Sequence, residues 1–446
     1  MPNSFEYVGE KKLTAPIVTK WLSGSNRVVF TIYTSLAAFL LYTCVYGFRK
    51  TFAVATFEGV TYFGMSYKVW LVVFQVMGYA VSKFIGIKIV SELKSGARFF
   101  GIMILSLISG ISLLFFAITP APYNVIFLFT NGLPLGMIWG LIFSYLEGRQ
   151  TTEALGAGLS VSFIFSAGFS KTVGAFILAW GVPEAWMPFV ACLLFTPPLF
   201  LFLWLLNQVP PPTAADQLLR TKRKPMDKTE RYKFAMMFAP VLILLIVAYM
   251  LLTAMRDFRD NFSAEIWNAL GYHTSPETFT ITEIPIAIVV LAAIGSMIFI
   301  KNNRKALYVN LWMILGGFAA TGLGTFLYMN HVIGAPMWIV TTGFGLYMGY
   351  VPFNCVLFER MIAAFRIPGT VGFVMYLADA FGYLGSVAVL FYKEFAQPDV
   401  SWVEFFTTAT LIVSAGGIAL SAVAMFYFDR KFRNESVATT PNLIQS

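Results

Sequence analysis

The stretch "NQVPPPTAADQLLRTKRKPMDKTERYK", residues 207–233, is the longest polar interruption in a chain that is otherwise a succession of apolar runs. On each side of it the sequence offers six windows of roughly 20 apolar residues, the length of one helical membrane crossing. The windows lie near 28–56, 67–90, 98–118, 122–146, 154–179 and 186–206, then 234–258, 280–300, 306–328, 335–358, 368–392 and 402–428. The chain reads as an all-α polytopic membrane protein with twelve spans. Its expected parts are an N-terminal segment (1–27), a six-helix half (28–206), a basic linker (207–233), a second six-helix half (234–430) and a tail (431–446).

Composition agrees with this reading. Of 446 residues, 58% are hydrophobic and only 12% charged, more apolar surface than a water-soluble domain hides. The first 27 residues are polar and mixed, so no cleavable leader is expected. Cys44, Cys192 and Cys355 sit in separate apolar runs and have neither disulfide nor zinc spacing. Lys11, Lys12, Lys20, Arg27, Lys94, Arg98, Arg149, Lys301, Arg304, Lys305, Arg360, Arg366, Arg430, Lys431 and Arg433 join the linker on one side of the alternating spans. That asymmetry predicts both termini in the cytoplasm of a multi-pass protein of the cell (inner) membrane.

The two halves echo each other. "GMIWGLIFSYLEGR" (136–149) and "GYVPFNCVLFER" (349–360) close spans four and ten in the same way. "AGLSVSFIFSAGFSKTVGA" (157–175) and "VGFVMYLADAFGYLGSVA" (371–388) pair Gly158 with Gly372 and Gly168 with Gly382 at one offset. Parallel repeats of this kind are one plan of secondary transporters, with the substrate site between the repeats.

Charges within the spans mark candidate sites, since an ionisable group in the bilayer is costly and seeks a cavity or a partner. Span one ends "YTCVYGFRKTF" (42–52) and span seven ends "YMLLTAMRDFRDNF" (249–262). Arg49 and Arg256 thus occupy matching places in the halves, and a two-fold axis along the membrane normal sets them on opposite walls of one cavity. Snorkelling of both to outer headgroups is the competing reading. Lys50 and Arg259 suit an interfacial or ion-paired role, with Asp257 and Asp260 to neutralise them. Further charges are Lys83 in span two, Lys171 in span five, Glu283 in span eight and Asp379 in span eleven.

The span plan and the "EGR"/"ER" span ends resemble the major facilitator superfamily over residues 28–430. More narrowly, "YTCVYGFRKTF" with "GYAVSKFIG" (78–86) resembles the organophosphate:phosphate antiporters, the glycerol-phosphate and hexose-phosphate transporter group. Carried over by residue, that likeness implies a substrate site of Tyr42, Tyr46, Arg49, Tyr79, Lys83 and Arg256, with Ser82 and Phe84 completing the span-two run. Lys50, Asp257 and Asp260 are implied as ion-pair residues. The His usual in that group's span five is absent; His273 and His331 fall in outer loops. The superfamily likeness also makes spans two and eleven neighbours, and spans five and eight. Lys83 then pairs with Asp379 on the inner side and Lys171 with Glu283 on the outer side, as two gates.

The expected function is exchange of small anions. Arginine offers a planar fork of donors to phosphate or carboxylate oxygens. Two arginines about 10 Å apart repel by about 1.7 kcal/mol at an effective dielectric near 20, and a dianion between them removes that strain. A non-transporting phosphate-ester sensor and a proton-coupled anion symporter are the alternatives, the latter with Asp379 or Glu283 carrying the proton. No cluster suited to catalysis and no phosphate-binding Gly-Lys-Ser/Thr loop is visible, so neither an enzyme nor ATP-driven transport is expected. The expected partners are a small anionic solute and the lipid bilayer, with no nucleic acid, no cofactor and no metal, and the chain is expected to act as a monomer.

Overall fold

A computed structural model describes residues 15–92, 95–149, 151–212, 216, 228–272, 275–365, 372–397 and 399–438. Lys11, Lys12, Lys94, Arg366, His273 and most of the basic linker lie outside the described residues. Among the described residues, twelve helices account for the twelve expected spans, the eighth being only 14 residues long. They are α1 (Arg27–Lys50), α2 (Tyr67–Glu92), α3 (Arg98–Ile118), α4 (Val125–Leu146), α5 (Thr152–Ala179) and α6 (Met187–Asn207), then α7 (Lys228–Asn261), α8 (Glu283–Ser296), α9 (Asn303–Met329), α10 (Ala335–Cys355), α11 (Gly372–Phe391) and α12 (Trp402–Ala438). Among the described residues, eleven stretches built on these helices are long and apolar enough to cross a membrane. The twelfth, α10, is rich in Gly, Thr and Tyr and is buried along most of its length, so it meets protein where its neighbours meet lipid.

Several expected boundaries shift. The first span is a helix to Lys50 followed by a tight 3₁₀ turn, Thr51–Val54, and the chain then forms a small hairpin of β1 (Thr61–Tyr62) and β2 (Met65–Ser66). The tenth span ends at Cys355, Val356 departs from helical geometry at φ −128°, and a separate helix Leu357–Ala364 follows. The first 27 residues hold a short helix, Pro16–Gly24, and α12 runs on through residue 438 into the expected tail.

The packing repeats. α1 lies against α5 and α6 as α7 lies against α11 and α12, and the pairs α2–α4 and α3–α4 recur as α8–α10 and α9–α10. Between the two sets, α2 meets α11 and α5 meets α8. With lipid as solvent there is little hydrophobic drive between helices, so close backbone approach carries the association. At α2–α4 it is reciprocal: a Cβ on Gly78 would stand 2.2 Å from the Phe129 carbonyl oxygen, and one on Gly132 2.3 Å from that of Gln75. Apolar side chains such as Ile104, Leu107, Ile111 and Phe115 of α3 face outward, as a lipid-facing surface requires.

The basic residues Arg27, Arg98, Arg149, Arg304, Lys305, Arg360, Arg430, Lys431 and Arg433 lie at the end of the bundle where α1 begins and α12 ends. This is called the basic end below, and the opposite one the far end.

Candidate anion site between the two helix sets

Arg49 stands in the last turn of α1 and is only 5% exposed. Its guanidinium carbon lies 3.9 Å from the Tyr79 ring centroid, with Tyr46 and Tyr383 each at 5.9 Å. Among the described residues its side chain has no carboxylate partner, and Nε has no hydrogen-bond partner. Arg256, in α7, is 6% exposed and repeats the arrangement, with its guanidinium 3.9 Å from the Tyr350 centroid. It differs in donating from Nη2 to Asp257 Oδ1 at 2.6 Å, while Asp257 Oδ2 accepts from Ser386 Oγ at 2.9 Å. Tyr383 of α11 lies 5.9 Å from the Arg49 guanidinium, and Ser386, one turn further along α11, holds the Asp257 that pairs with Arg256, so one helix reaches both arginines. The headgroup-snorkelling reading is excluded by this burial.

The end of α1 is held from beneath. A helix leaves its last carbonyls without intrahelical donors. Here Gln75 Nε2 donates to the Arg49 carbonyl at 3.0 Å, and Asn131 Nδ2 to that of Phe48 at 3.2 Å. Gln75 Nε2 also donates to Asn131 Oδ1 at 2.8 Å, and Asn131 Nδ2 to Ser109 Oγ at 2.7 Å. Four helices thereby set the direction in which Arg49 leaves the backbone.

Tyr42, Tyr46 and Tyr79 gather around Arg49: Tyr42 and Tyr46 meet edge to face at 5.3 Å, and Tyr79 meets Tyr383 of α11 at 5.0 Å. Towards the basic end, Lys83 Nζ lies 3.0 Å from Asp379 Oδ2. Asp379 Oδ1 also accepts from the Tyr249 hydroxyl, and Asn354 Nδ2 donates to that hydroxyl at 3.2 Å.

Towards the far end the expected pairing is corrected. Lys171 does not meet Glu283; its Nζ lies 2.9 Å from Asp260 Oδ1. Asp260 Oδ2 takes Lys50 Nζ at 2.6 Å, and Lys50 also donates to Asn261 Oδ1 at 2.7 Å. Glu283 instead accepts from Arg259 Nη1 at 2.7 Å, and Arg259 is fully enclosed where an interfacial role was the alternative. The reason is helical geometry. Successive residues point about 100° apart round an α-helix. Asp260 therefore faces α1 and α5, while Arg259 faces α8 and the Ile339 carbonyl of α10.

The arrangement leaves an excess of positive charge. Around this site, six buried cations (Arg49, Lys50, Lys83, Lys171, Arg256, Arg259) face four buried carboxylates (Asp257, Asp260, Asp379, Glu283); the buried Lys68, Arg360 and Lys393 lie outside the group. Two lysines share Asp260, and the Arg49 guanidinium has tyrosine rings as its near neighbours, with Asp257 beyond ion-pair distance. Sequence reasoning missed Tyr383, Tyr350, Tyr249, Gln75 and Asn131. Tyr383 had a signal, four residues after Asp379 and hence on the same helical face. Gln75 and Asn131 had none, since their partners are carbonyls of another helix.

The chain shares its architecture with solved transporters, at identities that bear on the fold alone. It resembles the nucleoside transporter NupG (14% identity, 89% of this chain and 98% of that one covered, TM-score 0.60). It also resembles a bacterial homologue of the human lysosomal transporter Spinster (15%, 92% and 99%, TM-score 0.58). A third likeness is to the major facilitator superfamily proton:xylose symporter XylE (15%, 90% and 96%, TM-score 0.54). The protein is thus an all-α, multi-pass membrane protein with the major facilitator fold. No curated protein matches the sequence. Residues 51–431 match the family described as "Family of unknown function (DUF5690)", and with most of its length inside that match the chain belongs to this family.

Proposed function

We propose that the protein is a secondary transporter that moves a small anion by alternating access, with organophosphate-for-phosphate exchange as the specific reading. The observation that carries it is Arg49, a guanidinium enclosed between the helix sets with no carboxylate partner among the described residues. A buried cation without a counter-charge is unfavourable unless a ligand supplies one. An anion between Arg49 and Arg256 does so, and the excess of two positive charges suits a dianion. The tyrosines offer hydroxyl donors and ring faces to the rest of the ligand. NupG and XylE are named for a nucleoside and a sugar; here the charge of the site argues for an anion.

Exchange follows from the same imbalance. An empty site keeps its strain when the bundle closes, whereas a loaded one does not, so the return step needs a second anion. Each buried carboxylate already sits on a cation, which leaves none as a ready proton carrier and favours exchange over proton symport. The inner-side pair Lys83–Asp379 and the outer-side cluster at Asp260 serve as the two gates.

Reconstituted protein tests the reading. Vesicles loaded with phosphate should take up labelled phosphate, and empty vesicles should not, whatever the pH gradient. Uptake that follows the pH gradient without internal anion overturns exchange, and phosphate binding with no flux identifies a sensor.

A further inference from the structure

The short helix Pro16–Gly24 stands apart from the transport site. Pro at its first turn suits the start of a helix, where the N–H is not needed, and Ser25 ends it in extended backbone. Asn26 then caps α1, its side chain accepting from the Val29 N–H at 2.8 Å. One side of the short helix is docked on the bundle. Leu22 is buried, Trp21 meets Tyr33 edge to face at 6.1 Å, and the Ala15 N–H donates to Gln208 Oε1 at 2.7 Å.

The other side is apolar and uncovered. Ile17 is 83% exposed, and Trp21, four residues on, touches Tyr33 with one edge yet keeps 53% of its surface open on the same face, with Lys20 exposed beside them. Four residues after this helix ends, the exposed apolar row of α1 begins with Val28 and continues through Ile32 and Leu36. That row has the four-residue spacing of a lipid-facing stripe.

We propose that Pro16–Gly24 is an interfacial helix whose partner is the lipid surface at the basic end, with Ile17 and Trp21 immersed at the level where headgroups meet acyl chains. The occupant follows from continuity: the same uncovered apolar surface passes from this helix into the lipid-facing row of α1. The side chains match the site. A ring such as Trp21's settles between wet and apolar layers, and Lys20 reaches from an immersed stem towards lipid phosphates. The helix then fixes the depth of α1, and with it the level of the whole first set.

Spin labels on the full chain, reconstituted in phosphatidylethanolamine–phosphatidylglycerol vesicles, test this. Labels are placed by Ile17→Cys, Trp21→Cys and Ser23→Cys in a background with Cys44, Cys192 and Cys355 changed to Ser. At 17 and 21, collisions with oxygen should exceed those with a water-soluble nickel chelate, and at 23 the order should reverse. Chelate-dominated collisions at both 17 and 21 overturn the proposal. So does dipolar broadening between labels at 17, which would place a second copy of the chain on this face.

Discussion

Among the six buried cations grouped at the site, Arg49 alone has no carboxylate within ion-pair distance, and its chemistry can be tested without disturbing the pairs around it. Arg49→Ala removes a buried charge with no direct ion pair, so the unliganded protein should lose little stability or gain some, while its thermal shift with phosphate disappears. A folded Arg49→Ala variant that keeps the full phosphate shift places the anion elsewhere. The paired residues should behave in the opposite way. Asp379→Asn strands Lys83, and breaking a buried pair from one side costs about 3–5 kcal/mol. The exchanged variant Lys83→Asp with Asp379→Lys should recover part of that loss in Tm; no recovery would show that the 3.0 Å approach contributes nothing specific. At the far end Asp260 serves two lysines and Lys171 shares its partner with Lys50. Asp260→Asn should therefore lower Tm more than Lys171→Gln, and equal losses would argue against the shared clamp.

Among the elements, α1 and α2 matter most for the site. The amide pair Gln75 and Asn131 holds the carbonyls of Phe48 and Arg49, so in the proposed reading its effect on an anion would pass through the backbone of α1. Gln75→Leu should keep the fold, since a side chain of similar volume fills the space, yet weaken phosphate binding about tenfold, which corresponds to about 1.4 kcal/mol. Unchanged affinity in a titration would make this network purely structural. The α2–α4 seam has no such tolerance. Gly132→Leu drives a side chain into the Gln75 carbonyl and should prevent a stable fold, seen as loss of a monodisperse peak in detergent.

For the whole molecule, the decisive feature is that both ends are joined at once. Lys83–Asp379 ties α2 to α11 towards the basic end, while Asp260 ties α7 to α1 and α5 towards the far end. Lys68 Nζ bonds Glu265 at 2.5 Å, and the Ser66 N–H donates to Glu394 at 3.0 Å, so the far end carries more links between the sets. Ion pairs thus join the two helix sets towards both ends of the bundle, with Arg49 and Arg256 buried between them.

Much of this could be read from the chain alone. Twelve apolar runs around one polar linker determined the class of fold, because each crossing must satisfy its backbone within its own helix and needs a fixed length to do so. The matched places of Arg49 and Arg256 were visible for the same reason, since depth along a helix is a matter of counting residues. Direction round the helix axis was not. Only the packed bundle decided that Asp260 would take both Lys50 and Lys171 while its neighbour Arg259 took Glu283. Ion pairs between helices depend on axial rotation and closest approach, and those are set by glycine contacts and ring packing between segments far apart in sequence.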